Sequence, residues 1–373
     1  MRTSSVRRRS FGLRRAVLIV FAVTLLGGLG AWPAAAQEIW YPVPVNVWEP
    51  PFNADRTRRP EEYRPLEAAR ERWRICVLIP HLKDAYWLAV NYAVLDEARR
   101  MGVSFAIYSA GGYEYLDRQR EQFDECLGES PDGILLSAVS LDGLNDLVVV
   151  AADRGVPVVD LINGVSAAEI SARVGVDFWD MGAATGRYLA ERPGAYGRSV
   201  QVAWLPGPAG AGWVEAADAG FRAAIDESDI SIVEALNGDT GRAAQRALVE
   251  EALDRHPGSI DYLAGTAVTA EAGVGALRDR GLADELGLLA FYYSPGVHRA
   301  IKRGQVLAAP SDLPALQTRI AMDTLVRIIQ DEDYFPHVAA RVVMVDRERL
   351  SQWDASTSLP PRGFRPVFNL AWH

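Results

Sequence analysis

From Trp73 onward the chain repeats one rhythm, a short apolar strand, a loop and a helix, and this restricts it to an α/β fold. The strand candidates are Ile75–Pro80, Ser104–Ser109, Gly133–Ala138 and Pro157–Ile162, then Val200–Leu205, Ile230–Leu236, Tyr262–Gly265 and Leu286–Tyr292. They are often β-branched and show no clean apolar–polar alternation, as expected of strands covered on both faces. Amphipathic stretches lie between them: Leu88–Met101, Leu116–Leu127, Met181–Glu191, Trp213–Asp226, Ala243–Arg255 and Ala270–Arg280. Strands alternating with helices imply parallel sheets with right-handed crossovers. Two groups of four such units, divided near Asn163, predict two similar lobes, each with a parallel sheet flanked by helices. A late helix, Leu316–Ile329, and a late strand, Ala340–Asp346, must return to lobes already begun, so the lobes are joined by a multi-crossing hinge. The predicted N-terminal lobe is 73–163 plus 311–335, and the C-terminal lobe is 164–310 plus 336–350.

The ends read differently. Residues 1–36 start with Arg7, Arg8, Arg9, Arg14 and Arg15, continue as an apolar run from Ala16 to Leu29, and finish at Ala34-Ala35-Ala36. That is the order of a cleavable secretory signal. The run is shorter than the roughly 20 residues that span a bilayer, so the expected mature chain is periplasmic and not membrane-embedded. Arg8-Arg9-Ser10-Phe11 also resembles a twin-arginine signal, with Gly12 where Leu is preferred, so both export routes stay open. Residues 37–72 hold six prolines between Pro42 and Pro65, interleaved with Trp40, Tyr41, Trp48, Phe52 and Tyr63. An extended arm lying against the main body fits that composition. Residues 351–373 form a Pro-rich, extended tail.

The formal net charge is −9, and the first 36 residues carry six arginines and no acid, so removing six positive charges from −9 leaves −15. An acidic mature chain argues against a nucleic-acid partner. Of the two cysteines, Cys76 lies in a buried-looking strand and Cys126 near a helix end. A disulfide and two buried free thiols fit the sequence equally.

In open parallel sheets ligands bind beyond the carboxyl ends of the strands. The loops there are His81–Trp87, Ala110–Tyr113, Asn163-Gly164, Asp177–Trp179, Gly207–Trp213 and Tyr292–Gly296. Trp87, Tyr113, Trp179, Trp213 and Tyr293 recur at their tips, and Asp84 is the one acid among the most suggestive positions. Taken singly, each aromatic reads as an ordinary core or surface residue. Five at strand-end loops of both lobes predict a crevice suited to methyl groups on a positive nitrogen, which stack on ring faces. The chain has no G-x-S-x-G, Walker or H-E-x-x-H motif, and its five histidines lack ligand spacing, so neither metal nor catalytic residues are expected. Gly207, Gly210 and Gly212 open a helix, but Glu215 occupies the last position of a dinucleotide fingerprint, so no cofactor is expected either.

These loops carry a family resemblance. Pro80-His81-Leu82-Lys83-Asp84-x-Tyr86-Trp87, Ala110-Gly111-Gly112-Tyr113, Leu205–Gly212 and Tyr292–Val297 resemble the TorT-like periplasmic trimethylamine N-oxide (TMAO) receptors, a branch of the sugar-type class I periplasmic binding proteins. The resemblance covers about residues 40–350. It implies a type I periplasmic binding fold and a non-enzymatic receptor for TMAO or a related methylated amine. By position it places Trp87, Tyr113, Trp179 and Tyr293 around the trimethylammonium group, with Asp84 adding charge and Tyr86 and Tyr292 adjacent. Sugar-type members carry a sugar-binding arginine before Gly220-Phe221, and here the residue is Glu215. It further implies cleft closure read by the periplasmic sensor domain of a TorS-like histidine kinase. A solute-binding component of an ABC transporter for a sugar or osmolyte is the alternative with the same fold.

Overall fold

The computed structural model describes residues 42–192 and 199–372. These form a nine-stranded and a six-stranded sheet. The core of the first sheet is parallel, in the order Ser104–Ser109, Arg74–Ile79, Gly133–Leu136, Val158–Leu161, Ala172–Val174. The second runs Ile230–Asn237, Val200–Gly207, Tyr262–Gly265, Gly287–Ala290, Ala308–Ser311, also parallel. Numbered along its own chain, each lobe therefore has strand order 2-1-3-4-5. The expected two-lobed α/β architecture is what the chain adopts. Its strands are apolar without alternation because both faces are covered: Ile75, Val77, Leu78, Ile134, Leu135, Val202 and Ala264 are all fully buried.

The division between lobes differs from the sequence reading. Ala172–Val174 and His337–Ala340, expected in the second lobe, both belong to the first sheet and pair with each other in parallel. The single late strand is two strands in different sheets, His337–Ala340 in the first and Val343–Asp346 antiparallel to Ala308–Ser311 in the second. Arg341 and Val342 are thus a hinge segment, and the other crossings lie after Val174 and at Asp312-Leu313. A three-residue strand leaves almost no periodic signal, and either buried sheet accepts an apolar run.

The first and last described segments are both built into the first sheet. The arm forms a hairpin, Val43–Trp48 and Arg58–Tyr63, whose first strand runs antiparallel to His337–Ala340. Two of its aromatics are buried as expected: Trp48 stacks on His337 with ring centroids 4.0 Å apart, and the Tyr63 hydroxyl donates to Asp323 at 2.7 Å, whereas Phe52 is exposed and Trp40 and Tyr41 lie outside the described residues. At the opposite edge Asn369–Leu370 pairs antiparallel with Ser104–Ser109, and Trp372 is buried in the core beside it. In the second lobe the helices Phe178–Ala190 and Gly212–Ile225 touch through Gly182 and Gly220. A Cβ at Gly220 would sit 2.0 Å from the Trp179 carbonyl oxygen, so only glycine permits this contact.

Cys76 and Cys126 form a disulfide, with Cα atoms 6.3 Å apart and a sequence separation of 50. It ties the strand Arg74–Ile79 of the first sheet to the helix Leu116–Gly128. Cys126→Ala is expected to lower unfolding stability by about 2–4 kcal/mol. Denaturant titration checks this, and a reductant should destabilise the parent protein while leaving the variant unchanged.

Candidate ligand-binding site

Three strand-end turns meet between the lobes. After the strand Arg74–Ile79 the chain turns through His81–Ala85, and Asp84 accepts a hydrogen bond from the Tyr86 amide at 2.9 Å. This local turn fixes Tyr86 and Trp87 at the start of the helix Tyr86–Met101. In the second lobe Gly207, at φ 123°, leads from the strand into the helix Gly212–Ile225. A Cβ there would meet the Trp213 ring at 2.7 Å, so glycine at 207 makes room for that indole. The third turn follows Gly287–Ala290 and carries Tyr292.

The turns line a cavity of about 20 Å³. Asp84, Tyr86, Trp87 and Tyr113 line it from the first lobe, Phe178, Trp213, Thr240 and Tyr292 from the second, with Ile162 and Asn163 beside the hinge. The rings interlock at edge-to-face or tilted angles. Trp213 lies 5.7 Å from Tyr113, 5.8 Å from Phe178 and 6.3 Å from Tyr292, centroid to centroid, and Tyr86 lies 5.6 Å from Tyr292. The Trp213 Nε1 is a buried donor that makes no hydrogen bond of full geometry, its nearest polar neighbour being the Tyr113 side chain.

One tyrosine–carboxylate bond crosses the cleft and a second ties the first lobe to the hinge. Tyr292 of the second lobe donates to Asp84 Oδ2 at 2.5 Å, and Tyr86 of the first lobe donates to Asp312 Oδ2, at the hinge, at 2.6 Å. Burial pushes both carboxyls up to about 6, although the tyrosine hydrogen bonds pull the other way. Burial also raises the phenols of Tyr86 and Tyr292 well above their ordinary range, so both remain donors. Nearby, His81 Nε2 and Thr240 Oγ1 lie 3.0 Å apart across the lobes. Burial lowers His81 to about 4, which keeps it neutral near pH 7. At the rim Lys83 bridges Glu114 and, in the other lobe, Asp239.

Of the residues singled out in the sequence, the structure gathers Asp84, Tyr86, Trp87, Tyr113, Trp213 and Tyr292 around the cavity. It does not gather Trp179 and Tyr293, and this corrects the reading above. Phe178 takes the cavity position, while Trp179, its amide held by Asp177 at 2.9 Å, lies where the Arg56 guanidinium sits 4.9 Å from its ring. Tyr293 is fully buried on the other side of its turn, its hydroxyl 2.7 Å from His298 Nδ1 and its ring against Trp353. In both aromatic doublets the neighbours point to different sides, so a one-residue choice decides the wall. Ile162, Phe178, Thr240 and Asp312 were not picked out in the sequence. Thr240 and Asp312 each follow a strand end, Ile230–Asn237 and Ala308–Ser311, so the same rule would have found them had the short second strand been recognised.

Among the described residues no group of His, Cys, Asp and Glu could hold a metal ion, and no helix is long and apolar enough to cross a membrane.

Comparison with known proteins agrees with the fold. Residues 75–333 match the model of the periplasmic binding protein domain. The periplasmic protein TorT of Escherichia coli K12 is 37% identical over 327 residues, 86% of this chain and 93% of TorT. The D-ribose/D-allose-binding protein of Pseudomonas aeruginosa is 22% identical over 72% of this chain and 86% of its own length. Among solved structures, an ABC transporter solute-binding protein from Bradyrhizobium with bound bis-tris is 46% identical, covering 90% of this chain and all of its own, with TM-score 0.79. TorT in complex with the TorS sensor domain, in the presence of TMAO, is 33% identical over 79% of this chain and 99% of that one, with TM-score 0.72. With a family model spanning well over half of its residues and TorT as a relative along most of its length, this chain belongs to the periplasmic binding protein family.

Proposed function

We propose that the chain is a periplasmic receptor for TMAO or a closely related methylated amine, and that its ligand-closed form is read by the periplasmic sensor domain of a TorS-type histidine kinase. The observation that carries this reading is the cavity itself: a small space walled by aromatic rings from both lobes, with one buried carboxylate, Asp84, in its lining. Ring faces attract a methylated cationic nitrogen, by about 0.5–2 kcal/mol each as water is expelled. The oxide oxygen needs a donor, and the Trp213 N–H is a buried cavity-wall donor that makes no full hydrogen bond within the protein. Ligand touching rings of both lobes favours the closed arrangement over the open one by its differential affinity. The receptor binds without turnover, and its export uses the arginine-rich leader, cleaved before Gln37.

One finding favours a second reading. The 46% identical Bradyrhizobium structure is described as an ABC transporter solute-binding protein, so transport of an amine is the competing role. A complex with a kinase sensor domain separates the two, because a transport receptor forms none.

Calorimetry with the purified protein should give binding heat for TMAO and none for ribose; the reverse result sinks the cage. Trp213→Phe keeps a ring and removes the donor, so TMAO should weaken roughly 10- to 100-fold, the worth of a hydrogen bond to a charged group. Tetramethylammonium, which offers no oxygen, should bind the variant as it binds the parent. Trp179→Ala should leave TMAO affinity within about twofold.

Asp84 also sets a pH dependence. Its carboxyl is held up to about 6, so it is ionised at pH 7.5 and gains a proton as pH falls through 6. Affinity for a permanently cationic ligand should therefore decline between pH 7.5 and 5, and Asp84→Asn should flatten the profile. A decline that persists unchanged in that variant would assign it to another group.

A further inference from the structure

We infer that the groove between the helices Tyr86–Met101 and Pro295–Lys302, closed on its third side by residues 355–364, is the face that docks the sensor domain, through an acidic, partly apolar segment of that partner. This rests on the receptor reading above and adds the surface and its chemistry. The groove measures about 760 Å³ and holds Leu88, Tyr92, Leu359 and Phe364 as its larger apolar side chains. Its charged lining is Arg299, Lys302 and Arg362, with no carboxylate at all, on a chain whose formal net charge is −9. All three cations are exposed, and among the described residues none forms an ion pair. An unpaired basic rim around an apolar floor is complementary to a segment that alternates Asp or Glu with aliphatic residues.

The groove is also placed to report closure, because it shares its backbone with the ligand cavity. Ala85 and Leu88 line the groove while Tyr86 and Trp87, between them, line the cavity. On the other wall Tyr292 faces the cavity, and the next residue, Tyr293, bonds His298 of the groove at 2.7 Å. Trp353 packs on Tyr293 with centroids 6.0 Å apart, just ahead of the tail segment that forms the third side. One long wall belongs to the first lobe and the other to the second, so their separation changes whenever the cleft opens. A partner lying across both walls binds one lobe arrangement better than the other, which is the differential contact that a signal requires.

The test uses the full-length mature protein and the purified periplasmic domain of the TorS-type kinase from the same organism, with TMAO present. The variant Arg299→Glu/Lys302→Glu/Arg362→Glu should weaken the complex at least 30-fold while leaving TMAO affinity within about threefold, which also shows that it is folded. A second variant with the same charge change, Arg72→Glu/Arg118→Glu/Arg154→Glu, reverses exposed arginines that do not line the groove. It should change the complex less than threefold. If the groove variant binds the sensor domain as tightly as the parent, or if both variants weaken it equally, the groove is not the docking face. If the parent forms no complex with or without TMAO, the kinase-receptor reading fails, and the docking face with it, whereas TMAO binding stands or falls by calorimetry alone.

Discussion

Two buried hydrogen bonds, Tyr292 to Asp84 and Tyr86 to Asp312, hold the molecule in the form described. Each lobe supplies a tyrosine to one bond, and the carboxylate that receives it belongs to the other lobe or to the hinge. An ionised carboxylate out of water is costly unless hydrogen bonds replace its hydration. For Asp84 part of the replacement comes from Tyr292 across the cleft, so separation of the lobes breaks that bond and returns its groups to water, while the Tyr86–Asp312 bond stays at the hinge. Closure is consequently a matter of exchange between two solvated arrangements and not of net attraction by either bond alone. That near-balance is what lets a small ligand, adding a few ring contacts, decide between them.

The same bonds explain why the cavity is small and so heavily aromatic. Tyr86 and Tyr292 are at once bridges and walls, and their rings meet edge to face at 5.6 Å. With the hydroxyls committed to Asp312 and Asp84, the polar capacity left in the lining is slight. A ribose ring presents several hydroxyls that each need a partner, and the lining has few to give. Glu215 is exposed on the helix Gly212–Ile225 and does not line the cavity. Relatives that bind ribose or allose share the architecture at about a fifth of their residues, a reminder that fold and ligand are set separately.

Much of this was legible in the residues. Strands buried on both faces announce themselves as unbroken apolar runs, so the two parallel sheets were evident, and the strand-end rule led to Asp84, Trp87, Tyr113 and Trp213 directly. Three things were not. The short strands Ala172–Val174 and Ala308–Ser311 carry too few residues for a period, and the first of these misplaced the lobe boundary. The aromatic doublets Phe178-Trp179 and Tyr292-Tyr293 offer two rings for one position, and backbone direction alone chooses between them. The pairing of Cys76 with Cys126 depends on the helix Leu116–Gly128 packing back over a neighbouring strand, a tertiary fact invisible in their spacing.

The placement of the first and last described segments in one sheet has a consequence for biosynthesis. The hairpin Val43–Tyr63 is among the earliest parts to emerge from the ribosome, yet its partner strand, His337–Ala340, arrives almost three hundred residues later, and the opposite edge waits for Asn369–Leu370. The second lobe has its parallel strands in hand once Ser311 has been made. The lobe begun first is thus finished last, and through most of synthesis it presents unpaired strand edges, the surfaces on which nascent chains associate wrongly. A chain with this topology needs its end before its beginning can close, which gives cellular chaperones a long interval in which to hold it.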